Sequence, residues 1–237
     1  MITQWLVRLS GSNSFENWDW RQRGAPPVDA LVSVRRPHSS KRNRHIPVTA
    51  YSMTNGDHIV LESGLEHDLL RRVDRDPAVR RITAQPFRLA WAGSTPGFHI
   101  PDLLTLDVDG SVTVWDARPP EGQDDEFLRA VAETREACSA VGWAHEIFSG
   151  LELVERLNLL WLHGFRRPPP WLCRYERQIL TAAQDGTTIE QLFALDQGDG
   201  EVISCIWHLV WTGALRADIT AVLDPKSSVE CPEAYHV

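Results

Sequence analysis

Residues 100–118 restrict the fold more than any other stretch of this chain. Ile-Pro-Asp-Leu-Leu-Thr-Leu-Asp-Val-Asp-Gly-Ser-Val-Thr-Val-Trp-Asp-Ala-Arg reads as two strands joined by a turn that needs a glycine. If Val108, Asp109 and Gly110 form a three-residue loop with Gly110 left-handed, the numbers of cross-strand partners sum to 218. Leu106 then faces Val112, Leu104 faces Val114, and Asp102 faces Asp116. A two-residue loop moves the sum to 219 and mixes Leu and Val with Thr and Asp, so the apolar pattern selects the first register. That register carries one apolar face directly into two opposed carboxylates, with Arg118 two residues further along. Opposed carboxylates repel and weaken a hairpin unless a cation separates them. Hard oxygen ligands with open positions suit Mg²⁺ or Mn²⁺, which activate water and steady the charge of a phosphodiester under attack. The structural alternative is that each aspartate caps a strand end in water, with Arg118 neutralising one of them.

A third carboxylate comes from upstream. Leu61, Leu65, Leu69 and Val73 recur at every fourth position, which predicts an amphipathic helix over residues 60–73, ended by Asp76-Pro77. Glu66 lies beside that apolar stripe and is placed to present its carboxylate to the sheet end where Asp102 and Asp116 meet. Ser63-Gly-Leu-Glu66 also spells a capping box, in which Glu66 bonds a backbone amide, and Glu62 is the other candidate carboxylate. Spacing leaves the choice between Glu62 and Glu66 open.

Around these residues the pattern predicts strands over 82–91, 98–107, 111–118 and 143–148, and a helix over 127–141 that stops at Gly142. Helices interleaved with strands imply an α/β sandwich. Arg167-Pro168-Pro169-Pro170 is a stiff linker candidate. Beyond it, helices are expected at 174–184, at 189–195 behind a Thr187/Thr188 cap, and at 202–212 closing on Gly213, with short strand-like pieces near Leu215 and Ile219. Three short helices and a ribbon suggest a winged-helix module. Its last helix has no Lys or Arg, which points to protein docking rather than groove reading. The expected division is therefore an N-terminal strand and basic arm (1–50), an α/β domain (51–166) and a C-terminal module (171–237).

With 237 residues, 43% of them hydrophobic, the chain can bury a real core, which excludes a disordered or fibrous class. The net charge of −8 excludes a globally basic nucleic-acid binder, but the charge is uneven. Residues 1–50 carry eight Lys/Arg against three acidic residues, a net of +5, while residues 51–150 carry −8 and 151–237 carry −5. Arg35, Arg36, Lys41, Arg42 and Arg44 form a basic arm suited to DNA phosphates, or simply a solvated segment. The four cysteines have no close pair, which argues against a zinc knuckle or a CxxC site and for reduced thiols in a cytoplasmic protein. The histidines form no HxH or HExxH pattern; His58, His67 and His99 near the carboxylates read as surface or structural. No run approaches the roughly 18 apolar residues of a membrane helix, so no membrane association is expected.

Taken in order, Leu61-Glu62-Ser63-Gly64-Leu65-Glu66, Asp76-Pro77-Ala78-Val79, Gln85-Pro86, His99-Ile100-Pro101-Asp102, Val114-Trp115-Asp116-Ala117-Arg118-Pro119, Gly142-Trp143 and Asn158-Leu159-Leu160-Trp161-Leu162 resemble the TnsA family. These are the endonuclease subunits of heteromeric transposases, within the PD-(D/E)xK restriction-endonuclease-like superfamily. The likeness covers about residues 55–165 and extends more loosely to a winged-helix C-terminal domain. It implies a Mg²⁺-dependent hydrolase that nicks the 5′ ends of transposon DNA. It further implies Glu66, Asp102 and Asp116 as catalytic and metal-holding carboxylates, and Arg118 as the basic residue near the attacking water. Gln85-Pro86 matches a family signature without an evident catalytic role. The implied partners are a DDE-type transposase subunit and an AAA+ ATPase regulator, the latter contacted through the C-terminal region. Arg118 departs from the family's usual lysine; a guanidinium stays protonated and cannot act as a base, though it can orient water or hold a phosphate. Two other readings compete: a stand-alone restriction- or repair-type nuclease, and a catalytically silent module that bridges DNA and protein partners.

Overall fold

The computed structural model describes residues 3–35, 48–92 and 96–233. They divide into two compact units, the first running to Asp74 and from Ala78 to Gly150, the second comprising Arg75–Pro77 and the chain from Leu151 onward.

The first unit is built from β1 (Thr3–Val7), β2 (Glu16–Trp18), α1 (Trp20–Arg23), β3 (Val48–Ser52), β4 (Asp57–Leu61), α2 (Gly64–Asp74), β5 (Val79–Ala84), β6 (Phe87–Trp91), β7 (Gly97–His99), β8 (Leu103–Asp107), β9 (Val112–Ala117), α3 (Asp125–Ala140) and β10 (Ala144–Phe148). An antiparallel sheet has the order β2-β1-β6-β7. A mixed sheet has the order β10-β9-β8-β5, with β10 parallel to β9. β3 and β4 form a separate hairpin. The mixed α/β class expected from the sequence is what the chain adopts.

Strand alternation builds the core. Trp5 and Val7 of β1 and Phe87 and Leu89 of β6 share a cluster with Leu104, Leu106, Val112 and Val114 of the mixed sheet, joined by Ala137 and Cys138 of α3 and by Trp143. Trp5 lies 4.6 Å from Phe87 and edge-on to Trp143 at 5.5 Å. Each fully buried side chain of this size contributes roughly 1.5–3 kcal/mol, so the two sheets are firm supports for what sits at their ends. β8 and β9 pair with Leu104 opposite Val114 and Leu106 opposite Val112, the expected register. Gly110 has φ 90°, its amide donates to the Asp107 carbonyl, and the Asp109 carboxylate accepts from the Ser111 amide at 2.8 Å.

Three expected elements differ: the strands over 82–91 and over 98–107, each of which divides between the two sheets, and the helix from residue 60. The chain from 82 to 91 is two strands in different sheets: at Gln85-Pro86 it leaves the mixed sheet for the antiparallel one, with Gln85 at φ 42°. Between β7 and β8 it returns through Ile100, Pro101 and Asp102. The Gln85 amide donates to the Asp102 carbonyl at 2.9 Å, tying the two corners together. The helix expected from residue 60 begins instead at Gly64, because residues 57–61 alternate with period two: Ile59 and Leu61 are buried while Asp57, His58 and Val60 are exposed. Leu69 and Val73 do lie on the buried face of α2.

The second unit contains α4 (Leu153–Leu162), α5 (Leu172–Ala182), β11 (Thr187–Thr188), α6 (Ile189–Phe193), α7 (Glu201–Thr212), β12 (Arg216–Ala217) and β13 (Ser228–Glu230). Its strands form a sheet of order β11-β13-β12. α7 is apolar on most sides and buries Val202, Cys205, Ile206, Trp207, Leu209, Val210 and Trp211, which is why it is the centre of this unit. Arg75 donates to the Val210 and Trp211 carbonyls at its end, and Thr188 with Gln191 forms a capping box on α6. Leu159 and Leu162 of α4 join this core, so the units divide at Gly150, well before the proline run at 168–170. Among the described residues no helix is long and apolar enough to cross a membrane.

A non-glycine residue at positive φ costs about 1–3 kcal/mol, least for Asn and most for a β-branched side chain. Gln85→Val is therefore expected to lower the stability of the first unit by about 2 kcal/mol, and Gln85→Asn to change it little, its lower backbone cost offsetting loss of the Ser33 hydroxyl bond to the Gln85 side chain, in urea unfolding of the full chain.

Candidate functional site

The carboxylates singled out in the sequence come from three separate elements and line one cavity. Glu66 stands in the first turn of α2, Asp102 at the corner before β8, and Asp116 near the end of β9. With Glu62, His99, Phe98 and Arg118 they border a volume of about 810 Å³. The hairpin register brings Asp102 and Asp116 together. The Asp102 amide donates to the Trp115 carbonyl at 3.0 Å, and its Oδ2 accepts from the Ala117 amide at 2.7 Å. Asp102 Oδ1 has no hydrogen-bond partner among the described residues.

Asp116 is almost wholly buried and lies between two imidazoles. Its Oδ1 meets His99 Nε2 and its Oδ2 meets His145 Nε2, both at 2.8 Å. An ionised carboxylate only accepts, so each imidazole carries a proton on Nε2. His145 comes from β10, where parallel pairing sets it opposite Val114, and its side chain is fully buried with Nδ1 lacking a partner. Burial works to raise the Asp116 carboxyl, but the bonds from His145 and His99 outweigh it and hold the group below its ordinary value. The neighbouring Cys138 thiol is pushed up to about 12, by burial first and then by the Asp116 charge.

Asp102 behaves in the opposite way. Burial, then the Glu66 and Asp116 carboxylates, push it well above the usual carboxylate range against the pull of the Ala117 amide. Glu66 is raised as well, chiefly by burial. Glu66 Oε2 accepts from the Glu62 amide at 2.8 Å and Oε1 from the Ser63 hydroxyl at 2.9 Å, while the Glu66 amide donates to Ser63 Oγ. The N-terminal capping role thus coexists with a place on the cavity wall. Glu62 also borders the cavity, but it is the outer of the two and pairs with Arg35 at 3.0 Å.

Arg118 reaches the cavity wall without meeting a carboxylate. Its Nε donates to the Gly122 carbonyl at 2.8 Å, and the guanidinium lies over the Phe127 ring at 5.1 Å. Among the described residues it makes no ion pair. Arg35, the described member of the basic arm, is half-exposed and bound to Glu62. Arg36, Lys41, Arg42 and Arg44 lie outside the described residues.

Sequence reasoning missed His145 and assigned His99 to the surface or framework. The signal for His145 is its parity in 144–148, where Ala144 and Glu146 are exposed and a polar imidazole takes an inward position. Among the described residues no three His, Cys, Asp or Glu side chains already form a metal-holding group. The donor chemistry nonetheless fits a hard divalent ion: Asp102 has a free oxygen, and burial together with the Glu66 and Asp116 carboxylates disfavours its ionised form, a cost that a cation held there would offset. Comparison with known proteins adds no relative, since no protein-family model and no curated protein matches the chain.

Proposed function

We propose that this chain is a metal-dependent DNA endonuclease, the TnsA-like subunit that nicks the 5′ ends of a transposon within a heteromeric transposase. The observation that carries this reading is the meeting of Glu66, Asp102 and Asp116, from three elements in the motif order, on one cavity that Arg118 also borders. The two sheets flanked by α2 and α3 support a restriction-endonuclease-like sandwich, and helices α5 to α7 with the small β11-β13-β12 sheet support a winged-helix-like second unit.

In this reading Asp102 and Glu66 would hold Mg²⁺, or Mn²⁺, with Glu66 exchanging its bonds to Glu62 and Ser63 for the ion. Bound there, the ion would supply Lewis acidity and an activated water for phosphodiester hydrolysis. Asp116, fixed by His99 and His145, keeps its negative charge beside the reacting centre. Arg118 cannot take a proton from water; its remaining N–H groups are suited to holding the scissile phosphate. DNA, a DDE-type transposase subunit and an AAA+ ATPase are the proposed partners, and the acidic net charge of −8 suits a subunit that borrows most of its DNA affinity from them.

A specific observation favours a second reading, the catalytically silent assembly module. Both Asp116 oxygens are already bonded, and the Arg118 guanidinium is held by Gly122 and Phe127. Asp102→Asn separates the two. The endonuclease reading expects end cleavage by the reconstituted complex to fall at least about 100-fold, the scale of losing one transition-state-stabilising group. It also expects added Mg²⁺ to raise the Tm of the parent chain but not of the variant, because only a site that binds the native state stabilises it. Unchanged cleavage and no Mg²⁺-dependent Tm shift in either protein would leave the silent module. Cleavage by the purified chain without partners would favour the stand-alone nuclease.

Replacing the guanidinium supplies another test. Arg118→Lys restores a flexible ammonium and releases the Gly122 contact, and is expected to raise the cleavage rate at fixed DNA concentration in a single-turnover assay. Arg118→Ala is expected to lower it.

A further inference from the structure

The antiparallel sheet carries, at the cavity mouth, an exposed aromatic ring that the proposed chemistry leaves without a task. Phe98 of β7 is 59% exposed and borders the cavity next to His99. On the adjacent strand, the Arg88 guanidinium lies over this ring, 4.1 Å from its centroid. Arg88 Nε is buried with no hydrogen-bond partner, and no carboxylate pairs with Arg88 among the described residues. Arg8, two residues beyond Leu6, the cross-strand partner of Arg88, also has a buried unpartnered Nε, on the side of Arg88 away from Phe98. In a chain of net charge −8, an arginine without an acidic partner, lying over an exposed aromatic ring, calls for a ligand that is both anionic and stackable.

We propose that Arg88 and Phe98 form a platform for an unpaired nucleotide of the DNA strand entering the cavity, its base stacked on the open side of the Phe98 ring and its phosphate on Arg88. A duplex hides its base faces, whereas a single strand offers them to exposed rings on a sheet. This inference rests on the nuclease reading for its substrate class, and binding alone tests it.

Fluorescence anisotropy of the full chain in EDTA, where no metal-dependent cutting occurs, compares a single-stranded oligonucleotide with the blunt duplex of the same sequence. The parent chain is expected to prefer the single strand. Phe98→Ala is expected to weaken single-strand binding about tenfold, to leave duplex binding and Tm unchanged, and to be rescued by Phe98→Trp. Arg88→Ala is expected to weaken binding and reduce the salt slope by about one unit. Equal losses on both DNAs, no loss on either, failure of the Trp variant to rescue, or no measurable binding by the parent chain overturns the platform. Cleavage with Mg²⁺ is scored separately. Phe98-dependent binding by the chain with no cleavage by the reconstituted complex would remove the nuclease and keep the platform, and cleavage by that complex with Phe98-independent binding would do the reverse.

Discussion

The hydrogen bond from the Gln85 amide to the Asp102 carbonyl joins the two places where the chain crosses between sheets. Without it the hairpin would end in a loose strand terminus; with it, Asp102 is clamped from one side by Gln85 and from the other by its own amide bond to Trp115. Proline follows Gln85 and precedes Asp102, so each corner has a residue of fixed φ next to the joined peptides. Gln85-Pro86 and Pro101-Asp102 therefore act as one structural device that holds a carboxylate still, which gives the Gln-Pro pair a purpose that contact with a substrate need not supply.

Around that fixed point the electrostatics of two facing aspartates diverge. Asp116 has two imidazole donors and is held in its ionised form, while Asp102 has one amide donor and the Glu66, Asp116 and Glu62 carboxylates near it and is pushed toward the neutral form. Carboxylates whose surroundings push them apart are suited to different tasks, one as a permanent charge and one as a group that can hold a proton. The arrangement costs stability wherever charge is buried without a counter-ion, a cost the surrounding apolar core offsets.

Much of this was legible in the sequence, for a definable reason. The hairpin register followed from parity alone, since one slip would have buried Thr113 in place of Val114. The caps at Thr188 and Gly213 followed from local backbone needs. What failed was the reading of runs that change partners midway. Residues 82–91 look like one apolar strand, but a corner divides them, and apolar content carries no mark of which sheet a residue joins. Leu61 matched the helical spacing of Leu65, Leu69 and Val73 although it ends a strand. His145 was invisible because its partner is Asp116, which lies 29 residues away in sequence and is brought close only by the parallel pairing of β10 with β9.

The turn at Val108, Asp109 and Gly110 lies at the far end of the ladder from the carboxylates, and Val108 is largely solvated. Exposed loops ordinarily absorb insertions and deletions with little effect. Here the length of the loop determines which way every side chain of β9 points, so one added or missing residue would turn Asp116 away from the imidazoles and set Trp115 in its place. This stretch of surface is free to vary in composition yet fixed in length, and drift among descendants of this chain should record that difference.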